Sequence, residues 1–311
     1  MTKIDRAPLI SVLMNCFNGE EFLKESIGSL IQQSYKNWEL IFWDNKSSDR
    51  SIEIASLFDD ERIFIFKSTF HTNLGKARQN AIKKVRGNYL AFLDVDDLWE
   101  KEKLTKQVKE FRDENIGISF TNSLYFSTKR KEKLYKNKTK FNLNTKSLIV
   151  NYPLSLNSIM IDVKKLKSLR YDFDKNYNHI CDFDLMVRLS TISKVKYLNE
   201  VLSGWRIHGK NESFKRKELF IKELEHWCNY HLKHSHLKKY KKVIRELETL
   251  TFARKRIASL KFYCQNLNYK NISNIRYIEN IRNRILFLYS FIPFIPKIVF
   301  EIKERIYKFK W

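Results

Sequence analysis

The feature that most restricts the fold is an alternation of short apolar runs with helix-patterned segments across the first hundred residues. "LISVLMNC" (9–16), "WELIFWDN" (38–45), "RIFIFKS" (62–68) and "NYLAFLD" (88–94) are apolar stretches of strand length, rich in β-branched and aromatic residues. Between them, "NGEEFLKESIGSLIQQS" repeats Phe22, Leu23, Ile27, Leu30 and Ile31 at helical spacing. "SSDRSIEIASLF" (47–58) opens on Ser and Asp suited to a helix cap, and "NLGKARQNAIKKV" (73–85) reads as a further helix. Strands that are apolar throughout are buried on both faces, so the pattern predicts an α/β, Rossmann-like fold: a mostly parallel sheet flanked by helices. Such sheets bind ligands beyond the carboxyl ends of their strands. Polar side chains gather at those ends: Asn15 and Asn18, then Asp44 and Asn45, then Asp94, Asp96 and Asp97.

The last group is unexpected in a chain of formal net charge +24. Carboxylates this close repel, and burying them uncompensated costs several kcal/mol each. A divalent cation is one compensation, because it takes oxygen ligands and needs only one or two carboxylates when phosphates complete its shell. The other is an N-cap cluster for a helix beginning near Leu98, stabilised by the helix dipole. Upstream, Gly75 to Arg78 fall at a helix N-terminus, where backbone N–H groups and a guanidinium favour phosphate. Asp44 could accept a hydrogen bond from an imide N–H, or merely cap the helix that follows it.

With 311 residues, 43% of them hydrophobic and 30% charged, the chain can bury a full core and is not disordered in bulk. Its four cysteines are scattered without CxxC spacing, which excludes a disulfide framework or a zinc ribbon and fits a reducing compartment. The opening "MTKIDRAPLISVLMNC" is too charged for a signal peptide, so a cytoplasmic location is expected. His226, His231, His234 and His236 fit no zinc spacing and read as a Lys-rich helix surface. The sequons at Asn45, Asn137 and Asn211 carry little meaning without secretion.

The pattern changes near Asn211. From Gly204 to the C-terminus there are 25 Lys and Arg against 9 Glu and no Asp, which suits a polyanion or an anionic membrane surface. Residues 214–311 therefore read as a basic helical extension. Within its tail, 281–311, "ILFLYSFIPFIPKIVF" (285–300) is too short and too interrupted to span a bilayer; flanking cations, Tyr307 and Trp311 suit an interfacial, membrane-associating segment, or else a dimer contact. A basic polar loop is expected over 128–146.

The order of the motifs "LISVLMNCFNGEEFLKESIGSLIQQSYKNWELIFWDNKSSDRS", "NLGKARQNAIKKVRGNYLAFLDVDDLW", "CDFDLMVRL" and "WRIHGKNES" resembles the nucleotide-sugar glycosyltransferases of family 2, which have the GT-A fold. The resemblance covers residues 8 to about 213, with a nucleotide-binding half of about 8–100 and an acceptor-binding half of about 101–213. It implies that Asn15, Phe17, Asn18, Asp44, Arg78, Asp94, Asp96, Asp97 and Arg206 bind the nucleotide-sugar. Mn²⁺ or Mg²⁺ would be held chiefly by Asp96, with Asp94 and His208, and Asp182 would be the general base. Asp184 would support that helix, and Trp205 would lie under the acceptor sugar. Two departures stand out: Gln79 where an Asn is usual, and Cys181 where a Glu is usual. The implied function is metal-dependent, inverting transfer from a nucleotide-sugar, UDP-linked by expectation, to a lipid-linked or surface-polysaccharide acceptor at the inner leaflet. The alternatives are a sugar-phosphate nucleotidyltransferase, which should carry a Gly-rich basic loop that "NCFNGEEF" lacks, and a polyanion- or nucleic-acid-binding protein, which has no use for "DVDD" or Asp182. No nucleic-acid partner is expected; a homodimer is compatible.

Overall fold

The computed structural model describes residues 7–128, 130–135, 141, 143–211, 217–234 and 237–258. The tail 281–311 and the centre of the expected basic loop lie outside the described residues. The chain divides into two compact units, Met1–Thr145 with Leu154–Asn211, and Lys146–Pro153 with Glu212–Trp311.

In the first unit, β1 (Ile10–Cys16), β2 (Trp38–Asp44), β3 (Ile63–Lys67) and β4 (Tyr89–Phe92) alternate with α1 (Glu20–Ile31), α2 (Ser51–Ser56) and α3 (Leu74–Ile82). Pairings β3–β2, β2–β1 and β1–β4 are all parallel. β1 and β2 are buried along nearly their whole length, as continuous apolar strands between helical layers must be. Helix α1 seals one face with Leu23, Ile27 and Leu30, one turn apart and fully buried.

The second half corrects the expectation of a mostly parallel sheet. β5 (Leu98–Trp99), β6 (Ile116–Phe126), β7 (Lys131–Lys133), β8 (Ile159–Asp162) and β9 (Lys194–Arg206) extend it in the order β3-β2-β1-β4-β8-β6-β9-β5, with β7 paired to β6. β8 is antiparallel to both β4 and β6, and β5 to β9, while β6 and β9 are parallel; the sheet is mixed. The apolar runs of the first hundred residues could not show this. β9 alternates exposed and buried residues over its first part, the mark of a strand with one open face. The remaining helices of this unit include α4 (Lys103–Gln107), continued by a 3₁₀ turn over Val108–Arg112, α6 (Val163–Lys167) and α7 (Cys181–Ser190); α5 (Thr145–Val150) lies at the division between the units.

Leu98 begins no helix. Leu98 and Trp99 pair with Gly204 and Ser203 of β9, so the acids are not an N-cap cluster.

In the second unit, α8 (Lys217–His234) packs against α9 (Lys241–Ala258). Ile221, Leu224, Trp227, Cys228 and His231 form the buried face of α8, and Ile244, Leu247 and Leu250 that of α9. His231 lies against the Trp227 ring at 4.3 Å, a packing role for one member of the histidine cluster.

Candidate active site

Register brings the strand ends level. Cys16 pairs with Asp44, and Phe92 of β4 lies opposite Leu13, so Asp94 emerges beside Asn15 at the same end of the sheet. Both strand-end turns use left-handed backbone: Asn18 has φ 54° and Lys46 φ 67°. Asn tolerates that conformation and Lys rarely adopts it. Asn18 Oδ1 accepts the Ser48 N–H at 2.8 Å, which locks the two turns together.

Asp44 is buried, and its carboxylate accepts the Ser47 N–H at 3.1 and 3.3 Å. It does not cap α2, where Asp49 Oδ1 takes the Ser51 N–H at 3.0 Å. Asn45 binds Thr72 through both ends of its amide, donating to the carbonyl at 2.7 Å and accepting from N–H and Oγ1 at 3.2 and 3.1 Å. That holds His71 against Phe17, with ring centroids 4.1 Å apart and Phe17 still 49% exposed. Asn15 keeps both amide atoms buried without a hydrogen-bond partner among the described residues, an open polar demand at the strand ends.

The N-terminus of α3 is not an open phosphate cradle. Asn73 Oδ1 accepts the Lys76 N–H at 2.8 Å, Tyr177 O accepts the Gly75 N–H at 3.1 Å, and Asn178 Oδ1 accepts the Leu74 N–H at 2.7 Å. Any Cβ on Gly75 would run into the carbonyl oxygens of Tyr177 and Asp174, so this glycine serves close backbone approach. The helix instead delivers Arg78, buried, to Cys181 Sγ at 3.0 Å and to Asp94 Oδ1 at 3.8 Å. Gln79 bridges Lys76 and the Phe173 carbonyl.

The three acids of "DVDD" point to three different partners. Asp94 faces Arg78. Although 40% of its side chain is open, enclosure pushes its carboxyl up to about 6; Arg78 opposes the shift, while repulsion from Asp96 and Asp182 adds to it. Asp96 Oδ2 lies 2.9 Å from His208 Nε2. His208 Nδ1 accepts the Lys210 N–H at 3.2 Å, which leaves Nε2 as the ring nitrogen that faces Asp96. Asp97 is buried: its Oδ2 accepts from Asn157 Nδ2 at 2.7 Å and its Oδ1 from the Arg206 N–H at 3.0 Å. Burial and then its acidic neighbours push the Asp97 carboxyl well above the ordinary range, with the two donors pulling it back. Asp97 therefore joins the acid loop to the end of β9.

Two residues that sequence reasoning passed over hold this loop. Ser26 Oγ, fully buried on α1, lies 3.2, 2.9 and 2.5 Å from the carbonyls of Asp94, Val95 and Asp97. Nothing in the sequence separates it from the apolar face it interrupts. Asn157 supports Asp97 and also donates to Gly204 O at 3.1 Å. Arg206 is turned toward protein groups, donating to Asp96 O at 2.9 Å and to Glu25 Oε2 at 2.7 Å between the rings of Phe22 and Phe126. Trp205 packs on Tyr125, with centroids 4.9 Å apart.

Asp182 lies in the first turn of α7, half-buried, where the N-terminal end of the dipole favours a carboxylate. It is near enough to Asp94 and Arg78 to shift both electrostatically. Asp184 is fully buried and paired with Arg188 at 2.7 Å, and Arg188 in turn donates to Tyr171 O and Asp172 O. That ion pair fixes the loop leading into α7.

A carboxylate oxygen and an imidazole nitrogen 2.9 Å apart, both partly open to solvent, are a suitable pair of donors for Mn²⁺ or Mg²⁺ whose other ligands are diphosphate oxygens. Among the described residues no three His, Cys, Asp or Glu side chains form a closed metal cage. Asp94, expected as a third ligand, faces Arg78 instead.

The mixed α/β sheet with flanking helices is similar to the fold of the GT-A glycosyltransferases. The family model described as glycosyl transferase family 2 matches residues 11–175, just over half of the chain, and the chain belongs to that family. The putative teichuronic acid biosynthesis glycosyltransferase TuaG of Bacillus subtilis is 34% identical over 37% of this chain and 46% of its own. The Escherichia coli UDP-Glc:alpha-D-GlcNAc-diphosphoundecaprenol beta-1,3-glucosyltransferase WfgD is 35% identical over 37% of this chain and 45% of its own. The chain thus spans about half the length of these two relatives. Among solved structures, S. aureus TarS 1-349 in complex with UDP-GlcNAc superposes with a TM-score of 0.66 at 16% identity, covering 90% of this chain and 86% of that one, a likeness of fold.

Proposed function

We propose that this protein transfers a sugar from a UDP-sugar to a saccharide or lipid-linked saccharide acceptor in surface-polysaccharide synthesis, inverting the anomeric carbon in a single displacement. The observation that carries the reading is the segregation of the acids: Asp94 lies 3.8 Å from Arg78, with Asp182 near enough to act on both electrostatically, whereas Asp96 meets His208. Like charges at one strand end are thereby given separate tasks. The likeness to TuaG and WfgD supports the acceptor class, and the UDP-sugar in WfgD's name supports the donor.

The exposed Phe17–His71 pair offers a face for the base, and the buried Asp44 an acceptor for its imide N–H. Asn15, with its unmet amide, lies at the same strand ends. Asp96 and His208 hold the divalent cation, which when bound supplies Lewis-acid stabilisation of the departing diphosphate. Asp182 takes the proton of the acceptor hydroxyl as its oxygen bonds to the anomeric carbon and the bond to the β-phosphate breaks. Asp94 keeps Arg78 in place beside it.

The test is transfer and donor hydrolysis across a panel of UDP-sugars with Mn²⁺. Asp182→Asn should lower kcat by roughly 10²–10⁴-fold while leaving UDP affinity unchanged. Asp96→Asn should raise the Mn²⁺ concentration needed for half-maximal rate. Wild-type turnover in Asp182→Asn would remove the base assignment.

A further inference from the structure

The Arg206–Asn211 turn carries one side chain that neither the sequence pattern nor the reaction scheme uses. Asn211 is 5% exposed, although it belongs to an Asn-Glu-Ser sequon. Its Oδ1 accepts the His208 N–H at 2.7 Å, and its Nδ2 donates to Arg206 O at 3.0 Å. The same nitrogen stands 3.4 Å from Asp96 Oδ2 and 3.2 Å from His208 Nε2. One carboxamide thus grips the backbone on either side of Ile207 and touches both side chains of the Asp96–His208 pair.

We infer that Asn211 is a positioning residue for divalent-cation binding: it fixes the turn that aims His208 at Asp96. The inference rests on reading Asp96 and His208 as the cation's protein ligands. Imidazole ligation is directional, since the nitrogen lone pair must lie in the ring plane and point at the ion. His208 is otherwise steadied by Phe22, at a centroid distance of 4.9 Å, and by one backbone N–H. A bond from the Ile207 N–H to Phe126 O at 2.8 Å pins the chain one residue earlier, and none of these contacts takes the His208 N–H. The Asn211 amide does, as one of two bonds to backbone atoms that no aliphatic side chain can replace. Groups that orient a metal-bound histidine in this way contribute roughly 10–100-fold to metal affinity. The neighbouring Lys210–Glu21 ion pair, at 2.7 Å and exposed, ties the same turn to α1 without touching the pair.

The experiment is a titration of the full chain with Mn²⁺ in saturating UDP, read as free Mn²⁺ by electron paramagnetic resonance, alongside UDP affinity in EDTA and Tm. Asn211→Ala should weaken Mn²⁺ binding roughly tenfold or more, with UDP affinity in EDTA unchanged. Lys210→Ala should stay within about twofold of wild type, showing that loosening the turn is not enough. Should Asn211→Ala fail to fold, Asn211→Ser keeps a hydroxyl but loses the reach to Arg206 O and Asp96, and should still lose about fivefold or more. Wild-type Mn²⁺ affinity in the Asn211 variant, or an equal loss in Lys210→Ala, overturns the inference. If the wild-type protein binds no Mn²⁺ with UDP present, the assignment of Asp96 and His208 as ligands fails first, a separate outcome.

Discussion

Lys103 is a cationic side chain enclosed beside the Trp99 ring. Its side chain is fully buried, with Nζ 2.5 Å from Gln107 Oε1 and 4.5 Å from the centre of the Trp99 ring, and burial lowers its ammonium to about 7. Below pH 7 the folded and unfolded chains both hold the proton, and folding bears the full cost of enclosing the charge. Between about 7 and the unfolded value near 10.5, the unfolded chain alone holds it, so stability rises with pH across that window. Lys103→Met should remove this slope. Measured by urea denaturation, the difference in stability should shift in the variant's favour by on the order of 3 kcal/mol between pH 10 and pH 6. A pH-independent difference would show that Lys103 is not neutralised in the fold. At the same scale, Asp94, Asp96 and Asp97 adjoin in the sequence but meet different partners, Arg78, His208 and Asn157, the last two from remote parts of the chain.

Helix α3 is the element on which the two carboxylate regions depend. Its N-terminal amides are bonded to the 177–178 segment, and Gly75 lets that backbone approach. Gly75→Ala should cost about 2–4 kcal/mol, because the clash is with backbone rather than a side chain that can swing away. The same substitution should reduce transfer by displacing Arg78 from Asp94 and Cys181. Thermal unfolding checks the first effect and steady-state kinetics the second; an unchanged Tm would mean that the 174–177 segment can retreat freely. The β1–α1–β2 alternation was legible because continuous apolar strands and one-turn apolar spacing leave few alternatives. The helix expected at Leu98 was not, since a two-residue strand has no period, and only its partners at Ser203 and Gly204 define it. That backbone from the 177–178 segment takes the amides at the start of α3, where phosphate was expected, was illegible for a related reason. A glycine at a helix start looks the same in sequence whether an anion or another backbone comes close.

At the scale of the whole molecule, no helix among the described residues is long and apolar enough to cross a membrane. For the proposed lipid-linked acceptor, the basic, apolar segment 281–311, which lies outside the described residues, is the proposed means of attachment. Deleting residues 281–311 should move the protein from the membrane pellet to the supernatant after cell fractionation. Equal recovery in the pellet would dismiss the tail as the anchor. Among the candidate acids legible in the sequence, Asp94 meets Arg78 from the neighbouring helix, but the bonds to Asp96 and Asp97 come from residues 60 to 115 positions away. The pairing of Leu98–Trp99 with β9 therefore also orders events in time. During synthesis the parallel half can assemble early, yet the buried Asp97 has no Arg206 amide and Asp96 no His208 until the last strand of the sheet has left the ribosome. A nascent chain arrested before that point would lack the Arg206 partner of Asp97 and the His208 partner of Asp96, so catalytic competence and completion of the fold should arrive together.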